Sequence, residues 1–461
     1  MDSLPSSLLY FTQQLTNFTR NQIKINPLNT DTVGPEKSNQ LRVSLPVNSI
    51  ANMKSLTLHC KLSLTGVKAE DGKTNGKFAL VPRGGAAALL DRVTWSAGGI
   101  ALDNSVTPYN VVPIVRDNLK KGSQKYMSDD KVLCGAIIEE HTGDATRTVD
   151  QAITNFAGFT ECEPSYLDLN LLPELQCTIQ TGPASIIPWQ AEGKELGEAA
   201  SEANPGECKY HLEKCFFSLE VIQLGSGLYD ALTQRAMMER GSLDVPYPQF
   251  QIFTSSVAEG NTSVEARGSV SCMSLDRIMY VQRRDGVKGT TAQQALRSNK
   301  EYSSYTTQQQ PVGPHPGSTT FAFTQAAHNF VSDNLETWQM TVNNAPMPLY
   351  NVHCNTESFA IAMNADDRSY SNARGGLVSS QGMWKENTWC AVQRLKFDED
   401  PRRLSGLNLS SINSQIRVRS TSRADDSGGA NTSHYKKQGL LITEQTSILR
   451  IGPGRAISVV S

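Results

Sequence analysis

Residues 56–64 alternate without a break. In LTLHCKLSL, Leu56, Leu58, Cys60, Leu62 and Leu64 share one face, and Thr57, His59, Lys61 and Ser63 share the other. A period of two over that length predicts a half-buried strand of about 30 Å. Shorter runs at 21–26 (NQIKIN) and 41–45 (LRVSL) are closed by Pro27 and Pro46, which have no N–H to offer a ladder. Residues 91–96 (DRVTWS) predict a strand, Gly98 and Gly99 a turn, and Ile100 onward the return. The Gly-Gly and Ala run just before it predicts one short helical turn. Further strands are predicted at 132–139, 175–180 and 215–224, then at 249–254, 276–282, 319–324, 337–342, 358–363, 388–394, 415–419 and 440–451.

One segment reads as a helix. Residues 227–240 (GLYDALTQRAMMER) carry a partial helical face, and Gly241 ends it. Long polar stretches separate the strands. Residues 189–207 predict a surface loop or a short exposed helix, and 283–317 and 366–388 predict large loops with an interface role. Residues 1–20 show no period and predict an arm with apolar anchors at Leu8, Leu9, Tyr10, Phe11, Leu15 and Phe18. Few helices and many short strands joined by Gly- and Pro-rich turns make the chain all-β, built of sandwiches or barrels.

The two halves echo each other. VTWSAGG is followed by TPYNVV, with Trp95 and then Tyr109-Asn110-Val111; ETWQMTVNNAPMPLYNV has Trp338 and then Tyr350-Asn351-Val352. In each, Thr-Trp sits on a strand, and a Gly-Gly or Asn-Asn pair supplies the turn that tolerates left-handed backbone. The echo points to duplication. The expected organisation is an arm at 1–20, a first β domain at 21–225, a helical linker at 226–245 and a second β domain at 246–461.

Length and composition allow this. The 461 residues are 38% hydrophobic and 19% charged, enough for two substantial cores. The formal net charge of -2, from 43 basic and 45 acidic residues, gives no basic footprint for specific nucleic-acid binding. The nine cysteines are widely spaced without a CxxC, which predicts reduced, partly buried thiols; a bridge between Cys208 and Cys215 across a turn is the alternative. The N-terminus has neither the basic nor the apolar region of a secretory signal, and no apolar run is long enough to span a bilayer. The sequons at Asn17, Asn261, Asn408 and Asn431 therefore read as chance triplets.

Candidate chemistry is sparse. There is no phosphate loop: DGKTNGK (71–77) has its nearest upstream glycine, Gly66, one residue too far from Gly72. His353 and Cys354, with the distant His328, form the nearest approach to a metal set, but neighbours on a strand point to opposite faces. Cys134, His141 and Asp144 could be grouped as a thiol-protease set, yet nothing nearby activates the thiol. Glu139-Glu140 and Asp398-Glu399-Asp400 read as solvated turns, the latter mixed with Arg394, Lys396, Arg402 and Arg403 in a salt-bridged interface. Among the tryptophans, Trp95 and Trp338 read as core, whereas Trp384 and Trp389 border a loop and are the candidates for an exposed sugar platform. No catalytic, cofactor-binding or metal residue is assigned, and no cofactor is expected.

Several stretches resemble one family. Residues 21–64 resemble the opening strands of the double jelly-roll major capsid proteins of icosahedral DNA viruses, and 84–112 (GGAAALLDRVTWSAGGIALDNSVTPYNVV) resembles their short helix, strand and turn. Residues 338–352, 388–397 (TWCAVQRLKF), 406–420 and 438–451 are similar to the corresponding second half and closing strands. The resemblance spans nearly the whole chain but is one of architecture, and it carries no site. It implies two tandem eight-stranded antiparallel jelly rolls with short helices in the loops, a non-enzymatic role, and a homotrimer with a pseudo-hexagonal outline. It further implies a virion shell of neighbouring capsomers, with minor capsid, cement and penton proteins as partners. Synthesis in the host cytoplasm or nucleus is implied too, and contact with an inner membrane stays open. Other readings are a minor capsid or scaffold protein of the same fold, a carbohydrate- or receptor-binding β protein, and a glycan hydrolase. The last needs a facing carboxylate pair that the sequence does not offer.

Overall fold

The computed structural model describes residues 18–35, 38–47, 49–65, 77–79, 85–104, 108–120, 140–142, 146–154, 156–182, 189–190, 209–224, 235, 237–239, 241–258, 261–284, 330, 332, 335–353, 356–363, 365, 389–398, 403–410, 414–422 and 437–461. The first lobe contains β1 (Phe18–Ile25), β2 (Gln40–Ser44), β3 (Ile50–Thr65), β4 (Lys77–Ala79), β5 (Leu90–Ala97) and β6 (Ile100–Asn104). It continues with β7 (Glu140–Thr142), β8 (Thr146–Ile153), β9 (Tyr166–Asp168), β10 (Leu175–Thr181), β11 (Trp189–Gln190) and β12 (Lys209–Leu224). The second lobe contains β13 (Leu243–Val257), β14 (Ser263–Val270), β15 (Leu275–Arg284), β16 (Leu335–Val342) and β17 (Ala345–His353). It closes with β18 (Ala391–Arg394), β19 (Ser414–Ser422), β20 (Lys437–Ile451) and β21 (Ile457–Val460). Among the described residues, helices α1 (Val111–Lys120) and α2 (Thr356–Met363) each follow a strand hairpin.

Strand order repeats. The larger sheets run β1-β12-β3-β8 and β13-β20-β15-β18, and the smaller ones run β2-β10-β5-β6 and β14-β19-β16-β17. Matching the positions pairs β1 with β13, β3 with β15, β5 with β16, β6 with β17 and β12 with β20, always in chain order. All these pairings are antiparallel, and the first strand of each lobe lies beside its last long strand, β1 beside β12 and β13 beside β20. That is the jelly-roll arrangement of two facing sheets, made twice. β9 adds to β3, β21 adds to β20, and β11-β4-β7 form a small separate sheet.

The alternation in β3 records its burial: Leu56, Leu58, Cys60, Leu62 and Leu64 are all buried. Ser63, expected outward, is buried as well. β10 alternates over its whole length, buried at Leu175, Cys177, Ile179 and Thr181. Gly98 and Gly99 make the β5–β6 turn with φ of 54° and 83°, backbone that residues with a Cβ rarely adopt. Trp95 on β5 and Trp338 on β16 occupy matching strands and are both buried, so this half of the echo is structural. The other half is not. Tyr109-Asn110-Val111 leads buried into α1, whereas Tyr350 and Asn351 are exposed on β17.

Several expectations change. Residues 358–363, predicted as a strand, belong to α2. Their apparent alternation is short, Ala360 and Ala362 favour helix, and Ser358 and Ala362 share the buried helical face. Trp338 Nε1 donates to Ser358 Oγ at 2.9 Å and fixes that face inward. α1 was hidden by its β-branched run, whose propensity is overridden by burial of Val111, Val112, Ile114 and Val115. Residues 18–20, expected in the arm, pair with Leu224, Gln223 and Ile222 in β1. Residues 243–245, expected in the linker, open β13. Of the predicted helix 227–240, Arg235 and residues 237–239 are described and helical. The predicted strands 132–139 and 319–324, and most of the 189–207 and 283–317 loops, lie outside the described residues.

Candidate functional site at the seam between the lobes

The residues singled out for chemistry do not assemble. His353 is exposed on β17, and His141 lies on β7; their supposed partners Cys354, His328, Cys134 and Asp144 lie outside the described residues, as do 71–76 and the 366–388 loop with Trp384. Trp389, a candidate sugar platform, is buried instead, with its ring edge-on to Tyr280 at 6.0 Å. Trp389 lies just before β18, whose first residues Ala391 and Val392 are buried, so an aromatic there fills the core. Among the described residues no cluster of three His, Cys, Asp or Glu side chains could hold a metal ion. Cys60, Cys162, Cys177, Cys215, Cys272 and Cys390 are free and buried. Burial raises the thiols of all six, so none is a thiolate near neutral pH. Cys208, the proposed partner of Cys215, lies outside the described residues.

The mixed charges near residue 398 serve two purposes. Arg403 and Asp398 pair at the surface at 2.9 Å. Lys396 instead turns inward to Asp276 at 3.5 Å, where both side chains are buried. Asp276 also accepts from Ser274 and Thr446, so the buried carboxylate is fully bonded.

The most specific polar and aromatic geometry lies where the lobes meet. The Tyr247 hydroxyl on β13 donates to the Leu102 carbonyl on β6, and its ring meets Phe159 edge-on at 5.2 Å. Phe159 in turn contacts Trp95 in the first core. Glu163 N–H donates to the Pro246 carbonyl at 2.9 Å, joining the β8–β10 connection to the edge of β13. Gly158 lets the same connection pack closely against Asp103 on β6. Its φ is 105°, and a Cβ there would overlap the Asp103 carboxylate.

Arg116 of α1 completes the seam. It pairs with Glu161 and lies over the Phe250 ring of β13 at 5.1 Å. Glu444 of β20 adds attraction to the same guanidinium, and Glu444 itself pairs with Arg277 at 3.3 Å. These four charges alternate in sign and link both lobes through groups that are largely out of water. Asp103, next to the Tyr247 contact, has its carboxyl pushed up to about 7 by burial, against a weak opposing bond from Phe159 N–H. Below Tyr166, Leu167 and Leu171 a cleft of about 350 Å³ reaches Leu243, Val245 and Ile451 of the second lobe. The sequence reading missed Tyr247 and Arg116. Tyr247 stands between two prolines and Arg116 follows a β-branched run, and their partners are distant in the chain.

The larger sheets differ in what lies on their outer faces. In the second lobe Phe250, Met279, Ile442, Arg277 and Glu444 share that face by cross-strand pairing and are buried. In the first lobe the matching face is half-open, with His59 stacked on Phe216 at 4.8 Å and Lys24 over the same ring. Among the described residues no helix is long and apolar enough to cross a membrane.

No protein-family profile and no curated protein matches the sequence. Solved structures do match. A PBCV-1 virus capsid structure aligns over 99% of this chain and 100% of its own at 11% identity, with a TM-score of 0.58. The Faustovirus major capsid protein aligns over 99% of this chain and 93% of its own, also at 11% identity and a TM-score of 0.58. A structure of the Sputnik virophage aligns over 100% of this chain and 92% of its own, at 10% identity and a TM-score of 0.51. With the same strand order made twice and these likenesses running from end to end, the chain has the double jelly-roll fold of viral major capsid proteins.

Proposed function

We propose that this chain is the major capsid protein of an icosahedral DNA virus, forming homotrimeric, pseudo-hexagonal capsomers that tile the shell. The observation that carries the reading is the doubled eight-strand order, matched along almost the full length by viral capsid structures. Two lobes seamed in one chain turn three copies into a six-lobed tile. The role is structural and non-enzymatic, and the buried, protonated thiols fit it. The division between jelly rolls falls between β12 and β13. The chain's place is the virion shell, beside neighbouring capsomers and minor capsid, cement and penton proteins.

Native mass spectrometry and negative-stain imaging of the purified full chain test this. Trimers of hexagonal outline, or shells built of them, are the expected result. A chain that stays monomeric at micromolar concentration and forms no shell overturns it. Copy number in purified particles separates a major from a minor capsid role.

A further inference from the structure

The seam is not filled along its whole length. Beside the bond from Glu163 to Pro246, the cleft of about 350 Å³ is walled by Pro164, Tyr166 and Leu171 of the first lobe and by Leu243, Val245 and Ile451 of the second. The carboxylates at its rim are already engaged. Asp168 accepts from Asn170 N–H at 2.9 Å, and Asp244 accepts from Arg450 at 3.0 Å. What remains is a mostly apolar lining with room for more than one large side chain.

Both strands that flank the cleft keep a free edge. Around β9, Met53 N–H donates to the Ser165 carbonyl and Leu169 N–H to the Ser49 carbonyl, so the odd-numbered residues turn their main-chain groups to β3. Tyr166 and Asp168 therefore turn theirs outward. On β13 the Pro246 carbonyl points away from β20 to Glu163, and Asp244, two residues earlier, faces the same way. Among the described residues no main-chain group pairs with Tyr166, Asp168 or Asp244 on those edges. A gap between two open strand edges suits an extended peptide, which brings main-chain bonds along with its side chains.

The chain carries such a peptide close by. Register across the larger sheet sets Arg20 opposite Ile222, Ile222 opposite Ile50, and Ile50 opposite Asp168. Three strand spacings and two further residues along β1 put Phe18 roughly 16 Å from Asp168. Residues 1–17 precede it and lie outside the described residues. An extended chain reaches about 23–25 Å from Phe18 to Phe11, but only about 10 Å from Phe18 to Leu15. Between Asp2 and Arg20 no side chain is charged, and Leu8, Leu9, Tyr10 and Phe11 run together. We infer that this arm docks on its own chain: the stretch 8–11 enters the cleft between β9 and β13 as an added strand and bridges the two lobes. The occupant is the chain's own arm because the tether is short, which holds it beside the cleft at an effective concentration far above that of a free partner. The contact lies within one chain and does not rest on the capsid reading.

Photo-cross-linking and amide hydrogen exchange on the full chain test the inference. Benzoylphenylalanine in place of Phe11 should link, on irradiation, to residues 164–171 or 242–245, and the product should run as a single chain on a denaturing gel. In Phe11→Asp, exchange at Tyr166, Asp168 and Asp244 should be at least about tenfold faster than in the parent, with β3 and β20 unchanged. Leu15 sits too near Phe18 to enter the cleft, so Leu15→Asp should exchange like the parent. A product of doubled mass would show the arm seated on another copy and overturn the inference. Links to other parts of the chain overturn it as well. So does a Phe11→Asp variant that exchanges like the parent, or a Leu15→Asp variant that loses as much protection. The capsid reading is untouched by any of these results, since trimers and shells are measured separately.

Discussion

The hydroxyl of Tyr247 donates to the main-chain carbonyl of Leu102, 145 residues away and in the other lobe. Its ring fills the gap beside Phe159, so a single side chain brings both packing and a hydrogen bond to the seam. This bond is buried. Tyr247→Phe keeps the ring and leaves the Leu102 carbonyl without that donor, at a cost of about 1–3 kcal/mol. The expected result is a lower urea midpoint at unchanged m-value. An unchanged midpoint would mean that water replaces the hydroxyl and that the bond contributes nothing net.

Arg116 is held by Glu161 on its own lobe and by Phe250 and Glu444 on the other. Arg116→Met removes the cation and leaves the carboxylates facing one another with little water. Breaking a buried pair from one side destabilises by roughly 3 kcal/mol or more. The loss should be nearly the same at low and high salt, because screening acts weakly on buried charges. A loss that vanishes in high salt would place Arg116 in solvent.

Asp103 predicts the pH response of the seam. Its carboxyl is raised from the ordinary value near 4 to about 7, chiefly by burial. An acid raised on folding contributes relative stability that is fully present below its unfolded pKa and is lost as pH rises through about 7. The chain should therefore become less stable between pH ~4 and ~7, by up to about 4 kcal/mol for a shift of this size. Asp103→Asn should flatten melting temperature over that window and raise it above the parent at alkaline pH. An identical pH profile for the two proteins would show that Asp103 is solvated or paired.

Leu58 is fully buried in the middle of β3, between β12 and β8. Leu58→Ala should cost about 2–5 kcal/mol, set by how far the core collapses into the gap. Denaturant titration gives the number directly. A loss below roughly 0.5 kcal/mol would require a different face or register for the strand.

Period-two alternation is enough to find β3 and β10, since a strand with one face in the core writes that face into every second residue. It was weaker for β14, whose buried face is Val264, Ala266, Gly268 and Val270. Two of those four positions are small, and Gly268 must be, because a Cβ there would overlap the Phe253 ring. The paired tryptophans marked matching strands for the same local reason: a large ring in a strand of either lobe needs the middle of a core. Six residues of alternation at 358–363 could not separate strand from helix, and only the Trp338 contact with Ser358 decides it. Nor does any local pattern say what covers a face. Tyr247 between two prolines, Arg116 after a β-branched run and Phe397 among charges carry no local mark of what covers them. The first two are buried because β6, α1 and the β8–β10 connection meet β13 within the chain, and the third is exposed. Which side chain is core and which is interface depends on partners more than a hundred residues away, and that distance is closed only by the packing of one lobe on the other.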